Sequence, residues 1–363
     1  MPSVSVHRLV GRGTAENPAN RFERLKLELD PEAGPASTGP GEGDVPPLLR
    51  TEFFKDHASS VISRNASPDI GFDFSLNPYR GCEHGCAYCY ARPYHEFLGF
   101  SAGLDFESRI MVKEDAPELL RTELARNKAC PGMLALSGVT DPYQPVERRL
   151  EITRRCLEVL AEFRQPVSVI TKNALVVRDA DLLAKLAHHQ AVRVTLSITT
   201  LDAELGHKME PRASSPRQRL ETIRALANAG IPAGVNIAPI IPGLNDHEIP
   251  RILEAARDAG ACHAGWQMLR LPHGVKDVFL EWLDRNFPGK AARVLARIRQ
   301  VRGGRLNDST FGTRMKGEGI FAEQIRALFR VSARRLGYGN EPAKLSGASF
   351  RRPGPEQLEL GGL

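Results

Sequence analysis

The sequence contains 363 residues, of which 42% are hydrophobic and 25% charged, and its formal net charge is +6. A chain of this length forms one large domain with appendages or two domains. It has no apolar run of the roughly 20 residues that a membrane helix needs, and its first residues lack the features of a secretory signal. We therefore expect a cytoplasmic protein without a membrane span.

The first 50 residues predict an irregular N-terminal extension. Residues 12–24 are polar and follow a Gly-Arg-Gly turn, so we expect little regular structure there. Residues 31–50 contain five Pro and four Gly. A segment of this composition buries too little apolar surface to offset its chain entropy. We therefore assign residues 1–50 to an extension that ends in a disordered Pro/Gly linker.

Residues 51–272 form the predicted core. Short apolar runs rich in β-branched residues alternate there with amphipathic stretches. A helix in each gap between strands specifies parallel βαβ units, which build either an open doubly wound sheet or a full or partial βα barrel. The predicted strands are Gly71–Leu76, Met133–Ser137, Val167–Thr171, Val192–Ile198, Ala233–Ile237 and Ala264–Leu269, and the predicted helices are Ala116–Asn127, Leu150–Phe163, Ala180–His188, Pro216–Ala229 and Asp246–Asp258.

The C-terminal part of the chain is basic. Residues 273–346 predict a mainly helical region and residues 347–363 a tail. Residues 290–352 contain 15 Lys or Arg against four Asp or Glu, a local net charge of +11. Such a stretch suits a nucleic acid, although arginines on solvated helix faces give a similar count. In the tail, Gln357–Leu360 resembles the short peptides that dock on bacterial sliding clamps.

Three cysteines lie within eight residues. Cys82, Cys86 and Cys89 follow the first predicted strand with the spacing C-x3-C-x2-C. In a reducing compartment such a group binds a metal more often than it forms disulfides. One alternative is zinc, with His84 or His95 as the fourth ligand, in a nucleic-acid-binding protein without catalysis. The other is a [4Fe–4S] cluster with one iron open to a further ligand; the spacing favours this cluster.

The other three cysteines are isolated in the sequence. Cys130, Cys156 and Cys262 each lie among apolar neighbours. We expect them to be small buried hydrophobic side chains without a role in the chemistry.

The cysteine loop resembles a known family. The motif Arg80-Gly-Cys82…Cys86-Ala-Tyr-Cys89-Tyr90 after the first strand is similar to that of the radical S-adenosylmethionine (SAM) superfamily, in its branch related to spore photoproduct lyase. The resemblance runs from about Asn77 to Leu271 and implies a partial (β/α)6 barrel. It also implies that Cys82, Cys86 and Cys89 bind a [4Fe–4S] cluster, whose open iron chelates SAM. Reductive cleavage of SAM then yields a 5′-deoxyadenosyl radical that abstracts hydrogen from the substrate.

The resemblance also implies further site residues. Tyr88 matches the aromatic residue beside the adenine, and Tyr88 and Tyr90 are candidates to relay a hydrogen atom. An external electron donor such as a flavodoxin or ferredoxin is implied as well. Residues at the ends of predicted strands match positions that contact SAM: Ser137, Lys172, Ser197, Ala238 and Pro239.

Two departures from the family pattern stand out. The stretch Gly132–Ser137 has no cysteine, whereas spore photoproduct lyase carries there a cysteine that returns hydrogen to the product, so the same repair reaction is doubtful. The chain also lacks the Gly-Gly-Glu run that holds the SAM amino group in many members. Asp141 lies in that region and is the candidate substitute.

Overall fold

The computed structural model describes residues 11–22, 49–126, 130, 132–339 and 344–353. The strands in these residues are β1 (Glu52–Lys55), β2 (Ile62–Arg64), β3 (Phe74–Leu76), β4 (Tyr79–Arg80), β5 (Arg109–Val112), β6 (Leu134–Leu136), β7 (Val167–Thr171), β8 (Val192–Ser197), β9 (Ala233–Ile240) and β10 (His263–Met268). The α-helices are α1 (Leu104–Ser108), α2 (Ala116–Arg126), α3 (Glu147–Leu150), α4 (Ile152–Phe163), α5 (Ala180–His188), α6 (Ala203–Met209), α7 (Pro216–Asn228), α8 (Ile249–Asp258), α9 (Val275–Asn286), α10 (Pro288–Gln300) and α11 (Gly319–Arg335). Three 3-10 helices cover Arg92–Leu98, Ala174–Asp179 and Asp246–Glu248.

A seven-stranded sheet forms the centre of the molecule. Its order is β10-β9-β8-β7-β6-β3-β2. All of its strands except β2 are parallel to one another. Helices connect successive parallel strands, which is the arrangement of a partial (β/α)6 barrel. The predicted fold class is therefore confirmed. All six predicted strands are present, and β7 has the predicted bounds.

Burial explains why the parallel strands were predictable. In β7 every residue except Ile170 is buried, and strands covered on both faces read as continuous β-branched runs. The helices that cover them are amphipathic. In α4, for example, Cys156, Leu157 and Leu160 are fully buried.

Two features of the fold differ from the sequence prediction. β2 adds an antiparallel edge to the main sheet, and β1, β5 and β4 form a separate three-stranded sheet. These strands have two to four residues, which is too short for a hydrophobic period to be recognised in the sequence, and β1 is exposed throughout. The predicted helix 150–163 is interrupted at Glu151, whose φ of 52° is left-handed and separates α3 from α4.

The C-terminal helices pack against the cysteine loop. Phe279 and Trp282 of α9 and Ile298 of α10 belong to one buried cluster with Cys86 and Tyr88. The region 273–346 therefore shares a buried hydrophobic cluster with the candidate site; its boundaries as a domain stay a prediction. None of the described helices is long and apolar enough to cross a membrane. The sliding-clamp peptide at 357–360 lies outside the described residues.

Residues 11–22 cross the cysteine loop as an irregular segment without helix or strand. The carboxylate of Glu107 accepts hydrogen bonds from the backbone N–H groups of Arg12 and Gly13 at 2.9 Å and of Thr14 at 3.2 Å. We call residues Gly11–Thr14 the strap. It lies on the core, which the composition of the extension did not predict.

Candidate active site

The candidate site lies at the carboxyl ends of the parallel strands, where α/β folds place their functional residues. The cysteine loop follows β4 and turns at Gly81 and Gly85, whose φ angles of 80° and 66° favour glycine. The Cys82 N–H donates to the Phe106 carbonyl at 2.9 Å, which fixes the start of the loop.

The three thiols are close neighbours in a dry environment. Cys82 and Cys86 are buried and Cys89 is half-buried between the clusters that contain them. Burial, together with the nearby charges of Asp141 and Cys89, raises the pKa of Cys82 to about 12. Burial likewise raises the pKa of Cys86, which also responds to Cys82 and Cys89. Three thiolates in this position therefore need a cation to offset their charge.

Three thiols in one loop match the donor set of a [4Fe–4S] cluster with one open iron. Among the described residues, no three His, Cys, Asp or Glu side chains stand at the spacing of a bound metal ion. His84 is occupied, because its Nδ1 lies 3.4 Å from Asp141 and its Nε2 lies 3.3 Å from the Asn173 amide. His95 packs between Phe100 and Phe106. His84 is therefore engaged by two side chains, whereas the buried Nε2 atom of His95 has no hydrogen-bond partner among the described residues.

Asp141 joins the loop after β6 to the end of β7. Its carboxylate accepts hydrogen bonds from the Thr171 hydroxyl at 2.7 Å, the Lys172 N–H at 2.8 Å and the Tyr143 N–H at 2.9 Å. Together with His84, these donors occupy both carboxylate oxygens. The contacts make Asp141 an organiser of the site, and its role as a ligand of the SAM amino group stays a prediction.

Lys172 and Tyr88 lie side by side. The Lys172 ammonium is 5.8 Å from the centre of the Tyr88 ring, and no described carboxylate forms an ion pair with it. The Tyr88 hydroxyl donates to buried Glu210, which Arg219 also contacts. Although burial opposes it, the charge of Arg219 lowers the pKa of Glu210. Tyr88 is thus fixed by a charged pair, while Lys172 retains an unpaired positive charge.

The remaining predicted SAM contacts also lie at strand ends. Ser137 directly follows β6 with a φ of 144°, a strained value for a residue other than glycine, and such strain concentrates at functional sites. Ser197 ends β8, and its carbonyl accepts a hydrogen bond from Arg219 at 2.7 Å. Ala238 and Pro239 lie near the end of β9, where the Asn245 amide donates to the Pro239 carbonyl at 3.1 Å. No bond joins these residues to one another.

Tyr90 lies at the mouth of the site. Its hydroxyl donates to the Gly138 carbonyl after β6 at 2.6 Å, and the Arg270 guanidinium after β10 lies 5.4 Å from its ring centre. The Tyr90 side chain therefore lies between the loop that follows β6 and the segment that follows β10. It is 38% exposed, whereas Tyr88 is buried.

Sequence reasoning missed the residues that hold the cysteine loop. The fully buried Arg92 donates to the Cys86 carbonyl at 2.9 and 3.0 Å and pairs with Glu107 at 3.2 Å. The Glu83 N–H donates to Gln144 at 2.9 Å. Only the nearness of Arg92 and Glu83 to the cysteines could have marked them, because Arg92 contacts a backbone carbonyl that has no sequence signal and Gln144 lies 61 residues from Glu83.

Two further expectations need correction. Cys156 is buried, but Cys130 is half-buried and Cys262 is exposed, because Cys262 lies in the turn before β10. Part of the basic C-terminal charge is internal: Arg314 pairs with Asp69, and Arg302 is buried and donates to the Leu269 carbonyl. Fewer cations therefore remain for a polyanion than the count suggests.

Comparison with known sequences identifies related proteins. The sequence profile of the radical SAM superfamily matches residues 76–256. An uncharacterised protein of Mycobacterium tuberculosis is 36% identical over 62% of this chain and 66% of its own length. An uncharacterised protein of Methanocaldococcus jannaschii is 32% identical over 55% of this chain and 71% of its own. A radical SAM Nalpha-GlyT isomerase of Pseudomonas phage M6 is 24% identical over 65% and 47%. The match thus spans just under two thirds of the mycobacterial relative.

Solved structures share the fold. A spore photoproduct lyase variant with bound AdoMet and dinucleoside spore photoproduct superposes with a TM-score of 0.54 at 15% identity, covering 83% of this chain and 85% of that one. Another variant gives 0.53 at 17% identity, covering 76% and 77%. At these identities the likeness shows the fold alone.

Proposed function

This chain belongs to the radical SAM superfamily, and on that premise we propose that it is an enzyme that cleaves SAM reductively and abstracts hydrogen from a nucleic-acid substrate. Members of the superfamily use a [4Fe–4S] cluster and SAM. The observation that carries the proposal is the juxtaposition of three thiols, two of them buried, with the Lys172 ammonium, which forms no ion pair with a described residue, at the carboxyl end of the sheet.

Cys82, Cys86 and Cys89 would hold the cluster, which supplies the electron that breaks the S–C5′ bond of SAM. The arrangement of the loop supports this assignment, because Arg92 and Glu83 fix its backbone from two sides. A flavodoxin or ferredoxin would deliver the electron. The surrounding burial excludes the water that would quench a radical.

Lys172 would bind the SAM carboxylate, since an ammonium without a counterion gains a charge-assisted hydrogen bond from it. The hydroxyls of Ser137 and Ser197 would bind polar groups of SAM, and Ala238 and Pro239 would face the adenine. Asp141 would accept from the amino group in place of its 3.4 Å contact with His84, while it holds the end of β7. Tyr88 and Tyr90 are the candidates for hydrogen transfer, and the exposure of Tyr90 favours it as the residue nearer the substrate.

One structural neighbour supports nucleic acid as the substrate class, because the solved lyase structure holds a dinucleoside photoproduct. The basic stretch 290–352 keeps exposed arginines that suit phosphate groups.

Metal content after anaerobic reconstitution with iron and sulfide tests the cluster assignment. We expect about four iron atoms per chain in the wild type, a large loss in Cys82→Ala, Cys86→Ala and Cys89→Ala, and wild-type content in Cys262→Ala, which removes an exposed thiol. Stoichiometric zinc without iron, or equal iron in all four variants, would contradict the assignment.

A further inference from the structure

An exposed aromatic surface begins at the cysteine loop. It consists of Tyr90, Tyr94, Phe97 and Phe22, which are 38%, 53%, 65% and 55% exposed. We call these four side chains the aromatic strip. Tyr94 and Phe97 lie three residues apart in the 3-10 helix Arg92–Leu98, where side chains at this spacing eclipse each other and share one face.

Three of the four rings of the strip, those of Tyr94, Phe97 and Phe22, form a continuous row. The centres of Tyr94 and Phe97 are 6.5 Å apart, and Phe97 stacks on Phe22 at 4.8 Å with an interplanar angle of 28°. Phe22 comes from the N-terminal extension, far from Phe97 in sequence. Two distant segments thus join their aromatic side chains outside the core.

The 3-10 helix has an inverted distribution of polarity. Its polar residues Arg92, His95 and Glu96 are buried, while Tyr94 and Phe97 face solvent. Isolated exposed hydrophobic side chains are ordinary, but contiguous exposed aromatic patches mark interaction sites. The helix therefore presents the strip to a partner rather than to the core.

Cations lie at both ends of the strip. Arg21 is 5.0 Å from the centre of the Phe22 ring and pairs with Glu96. Arg270 lies over Tyr90 and forms no ion pair with a described residue; its Nε atom is buried and has no hydrogen-bond partner there. Burial, with the nearby charge of Arg314, lowers the pKa of Arg270. An anion beside Arg270 would accept a hydrogen bond from its Nε atom and would stabilise the charged guanidinium group.

We propose that the aromatic strip binds single-stranded or unstacked nucleotides, with bases stacked on Tyr94, Phe97 and Phe22 and a phosphodiester group held by Arg270. Interleaved aromatic rings and guanidinium groups are the chemistry by which proteins bind single strands. The strip leads to Tyr90, the neighbour of Cys89, so a bound strand would present a nucleotide at the mouth of the site. This inference rests on the proposed function and adds the form of the substrate.

Oligonucleotide binding by the reconstituted full chain tests the strip. The probes are fluorescein-labelled 12-residue single-stranded DNA, single-stranded RNA and duplex DNA, titrated at several salt concentrations. Stacking is worth about 1–3 kcal/mol per base, so Tyr94→Ala and Phe97→Ala should each weaken single-strand binding at least about fivefold. Arg270→Gln should reduce the salt slope by about one. The control is Phe53→Ala on β1, which removes another half-exposed ring under an arginine and should change binding less than about twofold.

Several outcomes would contradict the proposal that the aromatic strip binds single strands. The first is a Phe97→Ala variant that binds single strands as tightly as the wild type. The second is a Phe53→Ala variant that loses as much affinity as Phe97→Ala. The third is tighter binding of duplex DNA than of single strands. Because Phe97 is mostly solvent-exposed, an unchanged melting temperature will show that its loss of binding is local. Formation of 5′-deoxyadenosine by a wild type that binds no oligonucleotide would overturn both the strip and the nucleic-acid substrate, and would leave the proposed reductive cleavage of SAM standing. Absence of that product from a fully loaded wild type would instead refute the function.

Discussion

Gly13 of the strap lies directly against Gly85 of the cysteine loop. A Cβ atom added at Gly13 would lie 1.7 Å from the Gly85 carbonyl oxygen, and one added at Gly85 would lie 2.6 Å from the Cβ of Arg12. Two backbones approach this closely only where both residues lack a side chain. The strap therefore braces the loop that carries the three thiols.

Gly13→Ala should detach the strap, because the clash is with backbone that cannot move aside. We expect less iron per chain after reconstitution and a weaker cluster absorbance, with Gly13 acting as a positioning residue. Gly71→Ala is the matched control, since nothing lies within 4 Å of its added Cβ. Wild-type iron content in Gly13→Ala would show that the strap does not brace the loop.

Glu107→Gln should destabilise the protein. The Glu107 carboxylate binds the strap and pairs with the fully buried Arg92, and removing its charge leaves that guanidinium without a counterion. Breaking a buried pair costs about 3 kcal/mol, so the melting temperature should fall by about 5–10 °C. Glu52→Gln, which removes an exposed carboxylate 3.8 Å from Arg109, should leave it nearly unchanged. Similar melting temperatures for both variants would refute the role of Glu107.

Lys172→Met should weaken SAM binding while the cluster is retained. The ammonium has no carboxylate partner in the described structure, and a hydrogen bond between charged groups contributes about 1.5–3 kcal/mol, so the Kd for SAM should rise about tenfold or more. Equilibrium dialysis with labelled SAM measures this. Lys185→Gln, at an exposed position in α5, is the control. Unchanged affinity in Lys172→Met would exclude a carboxylate contact.

The buried His263 should make stability depend on pH. Burial lowers its pKa from 6.5 to about 4, and Thr195 lies 2.9 Å from its Nε2. Between these values the unfolded state binds more protons, so the free energy of unfolding falls as pH falls, by about 2 kcal/mol from pH 6.5 to about pH 5. His263→Gln should flatten the melting temperature across this range, whereas His207→Gln, at an exposed position, should not. An equal slope in wild type and His263→Gln would contradict this.

The parts of the fold that could be predicted are those with local signals. β7 is a buried run of β-branched residues, and its bounds were predicted correctly. β1 and β2 lack such a pattern, because edge strands this short bury little side-chain area. Pairing with β5 and β3 creates them, and pairing is not encoded in a short window.

The same distinction holds for the site. The cysteine spacing is local and indicates its chemistry directly. The hydrogen bond from Tyr88 to Glu210 joins residues 122 positions apart, and the contact of Gly13 with Glu107 spans 94. The strap and the charged support of Tyr88 therefore emerge only from the folded chain. Ligand roles of individual residues stay predictions until they are measured.

Formation of 5′-deoxyadenosine tests the central claim most directly. The reconstituted wild type, reduced anaerobically in the presence of SAM and single-stranded nucleic acid, should release 5′-deoxyadenosine and methionine. The variant with Cys82, Cys86 and Cys89 all changed to Ala should release neither. Absence of 5′-deoxyadenosine from wild-type protein shown to hold a full cluster, or its equal release by the triple variant, would contradict the account.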